Sequence, residues 1–320
     1  MPTDSLISRT DSAALIPEDA AREIIQSVTE SSAVLQLARR LPNMSRKQRR
    51  LPVLGSLPTA YFVTGDTGLK QTTEVAWENV YINAEELAVI VPVPEAVLDD
   101  ADYDIWGEIR PLLVEAFGVA IDAAIMHGTN APTDWPDDIM TQIVAASHTV
   151  DEDTATYADL YDMLLGHASD GSLGVFGLVE ADGFAVNGVV AGLGERAKLR
   201  GIRDSNGNPI FRMDMTGPTQ YSLDGQPLYF PKNGAFNTTV ARYIAGDWNQ
   251  IVYAMRQDIT YKIATEATIM NQSGAVVYNL FQQDMVALRA TMRLGWALPN
   301  PINRANQTDA TRLPFAALIP

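Results

Sequence analysis

Residues 102–128, DYDIWGEIRPLLVEAFGVAIDAAIMHG, constrain the fold more than any other stretch. Ile105, Ile109, Leu112, Leu113, Ala116, Phe117, Ala120, Ile121, Ala124 and Ile125 recur at three- and four-residue steps, the period of a helical face. Asp102 or Asp104 can cap the start, and Gly128 can end it. At 1.5 Å per residue this predicts a helix of roughly 35–40 Å, long enough to cross a domain. Its few polar positions are Glu108, Arg110, Glu115 and Asp122, so much of its circumference needs cover. Pro111 removes a backbone donor and Gly107 and Gly118 loosen the helix, which predicts a bend at 107–111.

The chain has 320 residues, is 47% hydrophobic and has a mean hydropathy of -0.03, enough for one large or two ordinary domains with a sizeable core. It contains no cysteine, which excludes disulfides, thiol nucleophiles and cysteine metal sites. The N-terminus lacks a basic segment followed by an apolar core, and no apolar run approaches a membrane span; a soluble compartment and no membrane partner are expected. A net charge of -16 makes the chain a poor general ligand for nucleic acid. Arg39, Arg40, Arg46, Lys47, Arg49 and Arg50 form a basic cluster against that background. It lacks interleaved aromatics, so contact with another copy of the chain is the reading preferred over DNA.

Residues 1–17 read as an extended arm, and Pro17-Glu18-Asp19 opens a helix interrupted near 27–32. Residues 51–93 read as a long two-stranded excursion. Val75, Trp77, Val80, Ile82 and the run Leu87 to Val91 form its strands, and 65–73 form a turn-rich tip. Its outer half has too few apolar residues for a core of its own, and an isolated hairpin is marginal in water. It therefore either folds back or lies on a neighbouring subunit. Beyond the long helix, 156–167 reads as a helix, 172–180 as a buried strand and 182–198 as a helix. Turns are expected at 204–209 and 223–228, a long strand in 251–277 and another strand in 286–298.

Catalytic and metal constellations are missing from the sequence. His127, His148 and His167 are well separated, and neither HExxH, GxxxxGK[ST] nor GxSxG occurs. The acidic runs at 99–104 and 151–153 suit helix starts and exposed loops better than acid–base work or calcium. The stretch 188–194, GVVAGLG, holds one GxG inside what reads as a helix and is a packing surface rather than a dinucleotide site. A large α/β enzyme is the reading these absences disfavour.

Gly246-Asp247-Trp248 and its surroundings carry a resemblance. An arm, a hairpin and a long helix precede the turn Leu223-Asp224-Gly225-Gln226-Pro227-Leu228. GDW follows, then MRQDITYKI, and then the segment Phe281 to Ala290, which looks like F-x-x-(N/D)-x-V-x-x-R-A. In this order the motifs resemble the tailed-bacteriophage major capsid proteins of the Hong Kong 97-type fold, over nearly the whole chain. The resemblance implies an α+β class with an N-terminal arm and helix (1–50), an extended β-hairpin or E-loop (51–93), and a peripheral domain with a spine helix (94–171). It further implies an axial domain (172–250), a peripheral long strand (251–285) and an axial C-terminal strand and tail (286–320). It implies no enzyme activity and no cofactor, catalytic residue or metal. Expected partners are further copies in hexamers and pentamers, with scaffolding, portal and decoration proteins, and packaged DNA only non-specifically. The location implied is the virion, assembled in the host bacterial cytoplasm.

Intersubunit contacts are expected from Arg39, Arg40, Arg46, Lys47, Arg49, Arg50, Asp66, Lys70 and Trp77. Lys70 is the only lysine of the hairpin, and some family members join such a lysine to a neighbour's asparagine. No asparagine or carboxylate here matches residue by residue, so an ordinary ion pair is preferred over that isopeptide crosslink. The same fold also serves encapsulins, bacterial nanocompartments for cargo enzymes, which stands as the alternative.

Overall fold

The computed structural model describes residues 32–63, 69–70, 72–100, 105–153, 159–167, 173–203, 206–207, 222–271 and 273–320. The expected arm and the helix opening at Pro17, the candidate caps Asp102 and Asp104, Asp66, and most of the turn at 204–209 lie outside them.

The chain runs α1 (Ala33–Leu37), β1 (Arg39–Arg40), β2 (Gln48–Leu54), β3 (Trp77–Asn83), β4 (Glu85–Pro94), α2 (Glu95–Asp100), α3 (Ile105–His127), α4 (Ile139–Ala145) and β5 (Thr149–Asp151). It continues through α5 (Leu160–Leu165), α6 (Gly174–Ala181), β6 (Gly188–Ala191), α7 (Glu195–Gly201), β7 (Ser222–Leu223), β8 (Gln226–Tyr229) and β9 (Tyr243–Gly246). A 3-10 turn at Trp248–Gln250 leads into β10 (Val252–Ala264), β11 (Thr268–Met270), β12 (Val276–Asn279), β13 (Met285–Ala297) and β14 (Phe315–Ile319). The mixture of helix and sheet is consistent with the α+β class that the resemblance implies.

Helix α3 spans 23 residues, and Pro111 lies inside it without ending it. Gly128, at φ +66, terminates the helix with its N–H on the Ala124 carbonyl. The buried face of α3, including Leu113, Phe117, Ile121 and Ile125, joins α1, α4 and residues of both large sheets in one core.

The first sheet has the order β1-β10-β13-β4, with β13 antiparallel to both long neighbours. The β4–β13 register is unbroken from Glu85 opposite Leu294 to Pro94 opposite Met285. On the free edge of β4, Pro92 and Pro94 lack the N–H that an added strand would need, which blunts that end. The second sheet has the order β5-β14-β9-β6-β8-β7, and α6 packs on β14 and β9.

Several expectations are corrected. Residues 172–180 contain a helix, α6, rather than a strand, and 182–198 contain β6 and the start of α7 rather than one helix. The GxG at 192–194 therefore sits between a strand and a helix, not inside a helix. The long strand ends at Ala264, and β11 pairs with β12 as a separate ribbon. Leu87–Val91 belongs to β4 in the four-stranded sheet, so the two-stranded hairpin is β2 with β3. The boundary expected at 286 is not a structural one, because β13 lies in the sheet of β10 and only β14 enters the other.

GDW forms the joint between the sheets. Gly246 is the last residue of β9, and a Cβ there would lie 2.3 Å from Phe315 Cδ1 and 2.4 Å from the Pro314 carbonyl. Asp247 accepts from the Asn249 N–H and from the side chains of Asn187 and Gln250. Trp248, 1% exposed, donates its indole N–H to the Gly188 carbonyl and packs edge-on against Phe315.

Candidate assembly surface

The β2–β3 hairpin pairs seven residues on each strand, from Gln48 opposite Asn83 to Leu54 opposite Trp77. Alternation divides its faces. Arg49, Leu51 and Val53 are half-buried, whereas Arg50 and Pro52 are exposed along with Tyr81, Asn79 and Trp77 of the paired strand. Trp77 is 68% exposed, and farther out Phe62 is fully exposed and Leu69 is 89% exposed. A single chain that leaves so much large apolar surface in water on a thin ribbon is built for contact.

The root of the ribbon is fixed. Ile82 and Ala84 are buried with Met44, Val252, Ala254 and Ala297 in a small core. Lys47 Nζ lies 2.9 Å from Glu85 Oε1 and 3.0 Å from Asp134 Oδ2. The hydrogen bond to Glu85, then that to Asp134, raises the Lys47 ammonium, and Lys47 in turn lowers the Asp134 carboxyl. Asn83 donates to the Asp134 carbonyl, and the Trp135 indole donates to the Asn83 carbonyl. A Cβ on Gly295 would stand 2.3 Å from that same Asn83 oxygen, so the ribbon root needs glycine beneath it.

The residues expected to reach other subunits are thus not gathered into one cluster. Lys47 is engaged within its own chain. Arg40 donates to Asn43, and Arg49 to the Pro42 carbonyl. Arg39, Arg46 and Arg50 are exposed near the root, Trp77 lies midway, and Lys70 is exposed farther out.

Sequence reasoning missed Asp122. It is fully buried on α3 and accepts from Ser32 Oγ, the Ala33 and Val34 N–H groups and Asn233 Nδ2. This carboxylate pins the start of α1 to α3. Burial pushes its pKa up, against the four hydrogen bonds. Asp182 acts similarly elsewhere, accepting from the Leu313 N–H and Asn306, with His148 Nε2 3.4 Å away. No spacing signal marks either residue, since the partners are far apart in sequence.

Burial lowers the His127 pKa, and its Nε2 accepts from the Asn237 N–H. Among the described residues no group of three or more His, Cys, Asp or Glu is placed to hold a metal ion, and no helix is long and apolar enough to cross a membrane.

Comparison with known proteins decides the lineage. Residues 12–302 match the model of the phage capsid family. The chain belongs to the phage capsid family. This capsid chain is 30% identical over 275 residues to the major capsid protein of Staphylococcus phage 80alpha, covering 85% of this chain and 78% of the relative. Its fold is similar to that of a Microbacterium phage Oxtober96 chain, with TM-score 0.75 and 35% identity over 98% of this chain and 99% of the other. A Mycobacterium phage Bobi chain is similar with TM-score 0.74 and 34% identity over 98% of each. The capsid of an empty GTA particle, at 16% identity and TM-score 0.61, shares the fold.

Proposed function

We propose that this chain is the major capsid protein of a tailed bacteriophage and that many copies close into the icosahedral shell around its double-stranded DNA. The observation that carries the reading, beside the family match, is the large apolar surface left exposed on the ribbon at Trp77, Phe62 and Leu69. A chain that buries such limbs only against siblings gains closure from many weak contacts. In this reading the ribbon is the E-loop, α3 the spine helix, the four-stranded sheet with α3 the peripheral domain, and the six-stranded sheet the axial domain. The copies form hexamers and pentamers. Arg39, Arg46, Arg50, Lys70 and Trp77 supply contacts between them, and scaffolding, portal and decoration proteins complete a virion assembled in the host cytoplasm. The acidic charge of -16 suits a container whose lining leaves DNA mobile. The relatives and neighbours described above are phage or GTA proteins, and they do not favour a nanocompartment.

Negative-stain microscopy of the purified chain tests the reading. Uniform polyhedral or tubular particles are expected. A chain that stays monomeric at high concentration, with or without a co-expressed scaffold, refutes it.

A further inference from the structure

Asparagine followed by glycine is prone to cyclise, because no side chain hinders the backbone nitrogen that attacks the side-chain amide. The pair occurs at 187–188, 206–207 and 233–234. The loop from β8 to β9 holds the last of these in a particular setting. Asn233 Nδ2 donates to Asp122 Oδ2 at 2.9 Å, and Asn233 Oδ1 accepts from the Ala235 N–H at 3.1 Å. Gly234 is exposed at φ +75, and its N–H makes no hydrogen bond among the described residues. One side-chain amide thus has a donor on its oxygen, a carboxyl group on its nitrogen and an unoccupied backbone nitrogen next along the chain.

Those are the parts that displacement of an amide requires. The donor on Oδ1 stabilises the negative charge that develops there when a nitrogen adds to the carbon. A carboxyl group in contact with Nδ2 can hand it the proton it needs to leave as ammonia. Burial raises the Asp122 pKa, which keeps that proton available closer to neutral pH. Asn187 provides the contrast. Its Nδ2 donates to Asp247 and its Oδ1 accepts from the Trp248 N–H, so the amide is dressed alike. Gly188, however, is a buried residue of β6 in contact with Trp248, closed off from water.

We infer that Asn233 is a self-modification site, at which the Gly234 nitrogen displaces the side-chain amide with Asp122 as the acid. The bond from the Gly234 nitrogen to Asn233 Cγ forms and the Cγ–Nδ2 bond breaks. The Gly234 proton passes to water, Asp122 supplies one to Nδ2 and is refilled from solvent, and the products are a succinimide and ammonia. Water then opens the ring to aspartate or isoaspartate. A carboxylate now stands where an amide donated to Asp122, and the two acids repel. Asp122 also holds Ser32 and the Ala33 and Val34 N–H groups, so the change loosens the start of α1 from α3. The reaction needs no partner and no reagent beyond water, which suits a timed step after folding. This goes beyond the shell reading and does not rest on it.

The purified full-length chain is held at neutral pH, folded in one sample and unfolded in urea in another. Mass spectrometry of peptides follows the exchange of NH2 for OH. The folded chain is expected to convert Asn233 about a hundredfold faster than the unfolded chain, the low end of what positioned proton transfer contributes. Asn187 should stay intact in the folded chain. Asp122→Asn removes the acid and should bring the folded-state rate down to that of the unfolded chain, with Asn187 still protected. Asn233→Asp installs the product and should speed hydrogen exchange at the Ala33 and Val34 amides while leaving β6 unchanged. Conversion in the folded wild type that is equal to or slower than in urea overturns the self-modification, and does so even if Asp122→Asn fails to fold. Unchanged exchange at Ala33 and Val34 in Asn233→Asp overturns the release of α1.

Discussion

Replacing Asp122 by alanine removes the acceptor of four hydrogen bonds at once. The four donors do not suffer equally. The Ser32 hydroxyl can rotate toward another acceptor, and Asn233 is half-buried and can turn toward water. The Ala33 and Val34 N–H groups have no such freedom, because α1 is held where Val34 and Leu35 are 0% and 2% exposed. Each stranded buried donor costs about 1–3 kcal/mol. Relief of a buried carboxylate offsets part of this, leaving a loss of about 3 kcal/mol at neutral pH. Against the typical total of about 5–15 kcal/mol, the subunit still folds. Denaturant unfolding of the unassembled subunit, followed by tryptophan fluorescence, measures the difference. Asn233→Ala leaves three of the four Asp122 bonds but also takes the acceptor from the Ala235 N–H, and should cost about 1–2 kcal/mol. The pH dependence has a definite sign. Burial raises the folded Asp122 pKa above its unfolded value, so its contribution is complete below the ordinary carboxylate range and declines as pH rises through the raised value. The gap between wild type and Asp122→Ala should therefore be wider in mild acid than at neutral pH. A loss below about 1 kcal/mol, or a gap that widens with rising pH, would refute the account of Asp122 as the pin of α1.

Gly246→Ala should cost about 3 kcal/mol or more in thermal or chemical unfolding, because its Cβ meets both Phe315 and the Pro314 carbonyl. Trp77→Ala should leave unassembled-subunit stability within about 0.5 kcal/mol while lowering shell yield on size exclusion, since the side chain is 68% exposed. Gly225→Ala, at φ +77 in the β7–β8 turn, should lose about 1 kcal/mol of stability by the same unfolding measurement. Boiled in detergent, assembled shells should run as single chains; a covalent ladder that Lys70→Arg abolishes would establish the crosslink that the sequence disfavours.

What could be read from the sequence follows the physics of each segment. Helix α3 and strand β13 were legible because each keeps its period over many residues against one core face. Strand β6 was not. Gly188–Ala191 is buried at all four positions, and a strand covered on both faces shows no alternation to separate it from a helix. Helix α6 is eight residues with two glycines, too short to display a face, and packing on β14 and β9 decides its state. The ribbon is legible from its poverty of core residues, but its pairing is not, because Leu87–Val91 is equally suited to a body strand. Lys47 looked like part of a basic arm, and only the fold brings Glu85 and Asp134 to it. Asp122 was hidden for the same reason: its donors at 32–34 and 233 come from distant parts of the chain.

The joint at residues 246–248 has a bearing on how a shell could change shape. Trp248 packs on Gly188 and Phe315 of one sheet while its backbone leads into β10 of the other, and residues from both sheets share a single interior. Swivelling the two halves would pull this plug and open a void in close-packed material, which proteins resist. The body should therefore travel as one stiff tile. Any expansion or flattening of the container would have to be taken up at its thin appendages, with the tile itself carried along undeformed.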